Sequence, residues 1–233
     1  PMRVFPAVHY SMGGIYIDSR HMTNVPGILA AGECDYQYHG ANRLGANSLL
    51  SCLYGGEVSA ARTQEYFDHL SESAPPPQRI FDHQRKIEED KIDGILKSHG
   101  RENPYLIWEE MGRVMTGNVT VIRYNDKLEQ TDVKLLELKD RLKNAGVIDS
   151  ARWANQAVIF TRQLENMIEL ARIVALGALR RNESRGSHYK PDFPNRDDEN
   201  WLKTTVAKYT SDGPEFTMEE VDTSLIQPKA RVY

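Results

Sequence analysis

Gly32–Leu50 reads GECDYQYHGANRLGANSLL. The stretch gathers an acid (Glu33), an imidazole (His39) and a guanidinium (Arg43) in a glycine- and amide-rich turn, then runs straight into an apolar helical pattern. Gly40, Gly45, Asn42 and Asn47 tolerate positive φ and let the backbone approach a bound molecule closely. Asn47 or Ser48 is expected to cap the helix LLSCLYGGEVSAARTQEYFDHL, leaving free N–H groups and the positive end of the helix dipole facing the turn. Arg43 supplies a planar fork that matches a carboxylate. On the local pattern alone the simpler reading prevails: a glycine-rich left-handed turn before a capped helix, with Arg43 in a surface ion pair, because short motifs recur by chance.

With 233 residues the chain can bury a proper core in one large or two small domains. Its net charge of −4, with basic residues interleaved among acids, gives no electrostatic footprint for nucleic acid. The two cysteines, Cys34 and Cys52, form no C-x-x-C pair and have no histidines at zinc spacing, so neither a metal site nor a disulfide framework is expected, and reduced thiols in a cytoplasmic setting fit. No apolar run approaches the roughly 18 residues of a membrane span, and PMRVFPAVHY lacks the basic and apolar regions of a signal peptide. The chain is expected to be soluble, with any membrane attachment coming through a partner. Because Val4 to His9 reads as a strand already under way, the chain also reads as a piece of a longer polypeptide.

Working outward, Val4–His9 is expected as an edge strand containing Pro6, Met12-Gly13-Gly14 as a turn and Ile15–Ile17 as the return strand. Asn24–Gly27 turns into Ile28–Ala31, a buried strand whose end at Gly32-Glu33 is where α/β sheets place ligands. In the following helix, Gly55, Gly56, Ser59, Ala60 and Ala61 are expected to permit close packing. SESAPPP, Ser71–Pro77, reads as a linker, since prolines cannot continue a helix.

Beyond it the periodicity is helical. Helices are expected over Gln78–Ser98, from Pro104 in a first turn to Met115–Gly117, from an Asp126 cap to about Ala145, and from a Ser150 cap through Leu179. Three or four of these antiparallel helices with short turns read as a bundle. Arg180–Trp201 reads as an extended, ordered loop, followed by strands Leu202–Tyr209 and Glu215–Val221 around Ser211–Pro214, with IQPKARVY as a surface strand or tail. The class is α+β: residues 1–70 end an α/β domain, 71–77 link, 78–182 form the helical bundle, and 183–233 form a small C-terminal β/loop segment.

Three stretches carry it: HYSMGG (His9–Gly14), GECDYQYHGANRLGANSLL (Gly32–Leu50) and RNESRGSHYKPDFPNRDDENWLK (Arg181–Lys203). In order and spacing they resemble the C-terminal part of the flavoprotein subunit of succinate dehydrogenase and fumarate reductase. The resemblance implies FAD-dependent interconversion of succinate and fumarate, with electrons passed through an iron–sulfur subunit to quinone. It implies a cytoplasmic location against the inner face of the cell membrane, reached through that subunit and a membrane anchor. His9 and Arg43 match the family's substrate-binding histidine and arginine; taken alone, His9 reads as a satisfied core histidine. Glu33, Ser48 and Leu49 match flavin contacts, with Asn47 opening the same helix and His39 in a supporting role. The loop bearing Arg181, Arg185, His188, Arg196, Asp197 and Asp198 is assigned to ion pairs at interdomain and subunit contacts.

No G-x-G-x-x-G follows a strand in these residues. That fingerprint, the histidine carrying covalent flavin and the proton-transfer arginine are expected upstream, so no catalytic residue is assigned here. Residues 1–233 alone are expected neither to retain FAD nor to oxidise succinate. Two relatives compete, a fumarate reductase and an L-aspartate oxidase; relatives oxidising aspartate tend to carry Cys in place of Met12, and RDDENWLK is more typical of the succinate enzymes. A non-catalytic helical interaction module is the alternative from another class.

Overall fold

A computed structural model describes residues 2, 9–70 and 76–229. The expected strand Val4–His9, apart from His9, and most of the Ser71–Pro77 stretch lie outside them. Among these residues a short 3-10 helix at Gly32–Cys34 precedes six α-helices and two strands, in order α1 (Asn47–His69), α2 (Gln78–Leu96), α3 (Pro104–Asn118), α4 (Asn125–Leu142), α5 (Gln156–Arg180), α6 (Asp198–Trp201), β1 (Lys203–Lys208) and β2 (Glu215–Glu220). The chain divides into two compact units: Pro1–Gln84 with Arg185–Ser187, and Arg85–Ser184 with His188–Tyr233. None of the helices searched among the described residues is long and apolar enough to cross a membrane.

In the first unit the segments before α1 meet at isolated bridges rather than along a ladder: Ile17 with Thr23, Met22 with Leu29, and Ile15 with Asp35. The expected strands at Ile15–Ile17 and Ile28–Ala31 are thus reduced to single pairings, with Ile17 and Ala30 buried and Ile28 exposed. At Gly32, φ is +85°, and a Cβ there would stand 3.0 Å from Cys52 Sγ on α1, so a side chain would crowd the helix where the chain turns. Gly55 has the same function on the helix side, because a Cβ would lie 2.9 Å from Cε1 of the buried His21. Gly56, expected to pack closely as well, has nothing within 4 Å of a built Cβ among the described residues.

The second unit is built on α3, α4 and α5. Ile107 and Met111 of α3, Leu135, Leu138 and Leu142 of α4, and Leu164, Ile168 and Ala171 of α5 form one apolar cluster. Val119, Leu128, Ala175 and Ala178 form a second beside the ends of the same helices. Each buried leucine or isoleucine contributes about 2 kcal/mol through water exclusion, so these stripes hold the bundle. α2 buries no residue, so of the three or four helices expected in the bundle, three form its packed core.

Two starts differ from expectation. α4 begins at Asn125 after Tyr124, placing Asp126 inside the first turn, where it complements the dipole without capping. α5 begins at Gln156, capped by Asn155 Oδ1 accepting from Ala157 N and Val158 N, five residues after the cap expected at Ser150. Asn155 Nδ2 donates to Asp149 O and Ala151 O, folding 149–155 into a turn that leaves Trp153 exposed. α3 starts as expected, with Pro104 in the first turn and Asn103 as its cap. The expected β1–β2 hairpin is present, antiparallel with Val206 opposite Thr217, and Arg180 at the end of α5 lies 4.3 Å over the Phe216 ring.

Candidate functional site

In the first unit two arginines keep a buried Nε without a hydrogen-bond partner among the described residues, Arg62 on α1 and Arg43 in the turn Gly32–Leu50. Gly40 (φ +52°) and Ala46 (φ +65°) bend the backbone on either side of Arg43. Arg43 is half-buried, and its Cζ stands 5.0 Å from the centre of the Tyr10 ring, a cation–π platform. One guanidinium nitrogen donates to Leu44 O at 3.1 Å. Nε is buried and has no hydrogen-bond partner among the described residues. A buried donor without an acceptor is costly, and a guanidinium held this way is prepared to take an anionic oxygen.

His39 braces the same turn. Tyr10 meets it edge-to-face at 5.1 Å between ring centres, and His39 Nε2 lies 3.1 Å from Ser51 Oγ. Ser51 Oγ donates its only proton to Ser48 O at 2.8 Å. His39 therefore donates through Nε2–H, which leaves Nδ1 as the acceptor. One chain of contacts thus runs from Arg43 through Tyr10 and His39 to the first turn of α1.

α1 begins without the expected side-chain cap at Asn47 or Ser48. Ala46 occupies the cap position in the left-handed conformation and Asn47 is already helical, so neither side chain folds back over the helix end. Asn47 N reaches Leu44 O at 3.3 Å. The N–H groups of Ser48 and Leu49 have no acceptor within the helix by its geometry, and the positive dipole end is uncovered by any side-chain cap. Glu33 Oε1 accepts from Ser11 N at 2.9 Å, two residues beyond His9. His9 is exposed rather than a core histidine, and Leu49 is 74% exposed.

The structure therefore groups Arg43 with the segment that follows His9, Glu33 with that same segment, and His39 with the start of α1. These residues fit an anionic substrate and the flavin expected beside it: a buried guanidinium donor lacks an acceptor, a helix N-terminus is uncapped, and one oxygen of Glu33 is fixed by a backbone amide.

Sequence reasoning missed Tyr10, although it lies within a quoted motif, because nothing local says that its ring supports an arginine far along the chain. It also missed a buried histidine. His21 Nδ1 faces Ala30 O at 2.7 Å, its Nε2 meets the Tyr38 hydroxyl, and Asp35 Oδ2, buried without a hydrogen-bond partner among the described residues, is 4.0 Å away. Burial, with the Asp35 carboxylate and Tyr54 nearby, pushes the Tyr38 phenol up to about 12. Lone polar residues at this spacing carry no sequence signal. This group packs behind the turn and against Gly55.

In the second unit, the charged loop is locked into internal bonds. Arg181 donates to Glu183, Trp201 O and Lys203 O, joining the end of α5 to the start of β1, and the fully buried Glu183 accepts from Asp197 N. Arg196 pairs with Asp198, and Asp197 caps α6. Lys190 Nζ, 1% exposed, reaches Asn125 Oδ1 at 2.7 Å, Leu179 O at 2.9 Å and Asn182 Oδ1 at 3.2 Å; burial, with Arg123 close by, pushes its ammonium down to about 8. His188 takes a hydrogen bond from Arg123 on Nδ1 and donates through Nε2 to Arg181 O, and burial together with the Arg123 charge pushes it down to about 4.

Comparisons with known proteins point to one family. Residues 108–233 match the family model described as the fumarate reductase flavoprotein C-terminus, and residues 1–49 match an FAD binding domain model. The succinate dehydrogenase flavoprotein subunit of Bacillus subtilis is 53% identical over 100% of this chain and 40% of that protein. The fumarate reductase flavoprotein subunit of Haemophilus influenzae is 35% identical over 100% of this chain and 39% of its own length. A solved structure of E. coli quinol fumarate reductase FrdA superposes with a TM-score of 0.88 at 31% identity, over 97% of this chain and 39% of that one. The chain therefore spans about two fifths of these relatives, and its α+β fold, a flavoprotein end followed by helices and a small antiparallel hairpin, is theirs. It belongs to the flavoprotein family of succinate dehydrogenase and fumarate reductase, whose C-terminal portion it matches.

Proposed function

We propose that this chain is part of an FAD-dependent oxidoreductase that interconverts succinate and fumarate, and that Arg43 grips one carboxylate of the dicarboxylate. The buried Arg43 Nε without a partner among the described residues, on a guanidinium fixed by Tyr10 and Leu44 O, is the observation that carries this reading. His9 donates to a carboxylate oxygen of the same dianion. Glu33 accepts from flavin ribose or ribityl hydroxyls, and Asn47, Ser48 and Leu49 present the positive end of α1 to the flavin ring edge, where it stabilises negative charge. FAD, when bound, supplies the two-electron acceptor. Succinate oxidation is favoured over fumarate reduction by the 53% identity to a succinate dehydrogenase subunit against 35% to a fumarate reductase subunit. Met12 in the Met-Gly-Gly turn favours both over aspartate oxidation.

The reading also includes an iron–sulfur subunit as electron acceptor, attachment to the inner face of the cell membrane through partner subunits, and contacts of the Arg181–Lys203 loop with those partners. In the full-length flavoprotein within its complex, Arg43→Ala lowers kcat/KM for succinate by about 100-fold while the fold is kept, since a charge-assisted bidentate pair is lost. Unchanged succinate turnover, or turnover of aspartate in place of succinate, overturns the assignment.

A further inference from the structure

Three residues from far along the chain belong to the first unit: Arg185–Ser187. Ser187 is anchored on the carbonyl of Ala41, 146 positions away. Ser187 N donates to it at 2.9 Å, and Ser187 Oγ donates to the same oxygen at 2.9 Å, using both of its lone pairs. Gly186 sits at φ +59°, and a Cβ there would stand 2.4 Å from Ala41 O, 2.6 Å from Ala41 C and 2.9 Å from Ala41 Cβ. Only glycine combines that left-handed backbone with so close an approach.

Ala41 lies inside the turn that delivers Arg43. Gly40 enters it at φ +52°, Asn42 N closes it on His39 O at 3.2 Å, and Arg43 follows directly. Fixing the Ala41 carbonyl fixes the peptide plane into Asn42, and with it the direction in which the Arg43 side chain leaves the backbone. Tyr10 and Leu44 O then hold the guanidinium end. Without a fixed base, that platform does not define the direction of the Nε edge.

We infer that Gly186 and Ser187 are positioning residues for Arg43: they clamp the Ala41 carbonyl so that the guanidinium meets the substrate carboxylate in one orientation. The inference rests on the proposed role of Arg43. It predicts that a change about 145 residues away alters dicarboxylate affinity through Arg43, without touching substrate or flavin.

The test uses the full-length flavoprotein in its complex, with fumarate binding, succinate KM and kcat, bound flavin and melting temperature all measured. Gly186→Ala is expected to raise succinate KM and the fumarate Kd by about tenfold, because a small displacement of a binding group costs affinity steeply. kcat and bound flavin should stay within about twofold of wild type. Ser187→Ala, which keeps the N–H donor and loses only the hydroxyl bond, should weaken fumarate about fivefold, and Ser187→Thr should restore it. In an Arg43→Ala background, neither Gly186→Ala nor Ser187→Ala should weaken fumarate further. If Gly186→Ala fails to fold, the Ser187→Ala and Ser187→Thr pair in both backgrounds decides. If Arg43→Ala weakens fumarate while the 186 and 187 variants do not, or if those variants weaken it equally without Arg43, the clamp is overturned and the substrate reading stands. If Arg43→Ala itself leaves fumarate binding unchanged, the substrate reading falls and takes the clamp with it.

Discussion

The turn around Arg43 and the loop around Lys190 and His188 are both rich in cations, yet they differ in how those cations are satisfied. Lys190, 1% exposed, places its ammonium on three oxygens, and His188 uses both ring nitrogens, one toward Arg123 and one toward Arg181 O. Arg43 is half-buried and supported by a ring, with Nε lacking any acceptor among the described residues. A saturated, buried network holds a fold together, because breaking it strands polar groups away from water. A cation fixed in place with a donor left over is the kind of group the proposed dicarboxylate site needs. Charge density alone does not separate the two, nor does one leftover donor, since Arg62 Nε is also buried without a partner among the described residues; the ring beneath the guanidinium and the uncapped helix end nearby set Arg43 apart.

That contrast can be broken by exchanging readouts. Arg43→Ala should remove about two orders of magnitude of succinate kcat/KM at little cost in stability. Lys190→Ala should do the opposite, destabilising the protein by about 3 kcal/mol in a urea titration, since Asn125, Asn182 and Leu179 O lose a buried donor, while fumarate affinity holds. If Lys190→Ala weakened fumarate binding and left the urea midpoint in place, the distinction would collapse.

Acid sharpens the same comparison. His188 titrates at about 4 when folded, below its ordinary value near 6.5, so the folded state keeps it neutral. Below about 6.5 the unfolded chain takes up a proton that the folded state refuses, so stability falls with pH, by about 3 kcal/mol in all as pH reaches about 4. Urea midpoints of wild type and His188→Gln at pH 7 and pH 4.5 measure it: the wild type should lose more stability over that interval than the variant, and equal losses would remove His188 from the account. The smallest effect belongs to Tyr10→Leu, which takes the ring from beneath Arg43. It should weaken fumarate about fivefold, the size of a partly desolvated cation–π contact, with the melting temperature nearly unchanged. A change in melting temperature without a change in affinity would make Tyr10 a packing residue only.

Much of the bundle was legible because its signals are local. The apolar stripe through Leu128, Leu135, Leu138 and Leu142 is a period that any helix must show to bury one face, and Pro104 after Asn103 is a start signal that works through its own backbone. The hairpin around Gly213 was readable for the same reason. Local rules failed where two of them compete. Ser150 and Asn155 are both good caps, and the choice fell to Asn155 because its amide also closes the turn through Asp149 O and Ala151 O. The α1 start went to Ala46, a poor cap by any propensity, and the turn imposes that left-handed residue.

The sequence by itself determined the α+β class, the helices of the second unit and, through three separated motifs, the family. Helical period, proline placement and motif order are written along the chain and need no partner to be read. Only the tertiary structure decided what supports Arg43. Tyr10 beneath its guanidinium, His39 on Ser51, and Ser187 on the carbonyl of Ala41 are contacts between residues from 12 to 146 positions apart. Their energy depends on distance and direction in space, and those exist only once the chain has closed on itself.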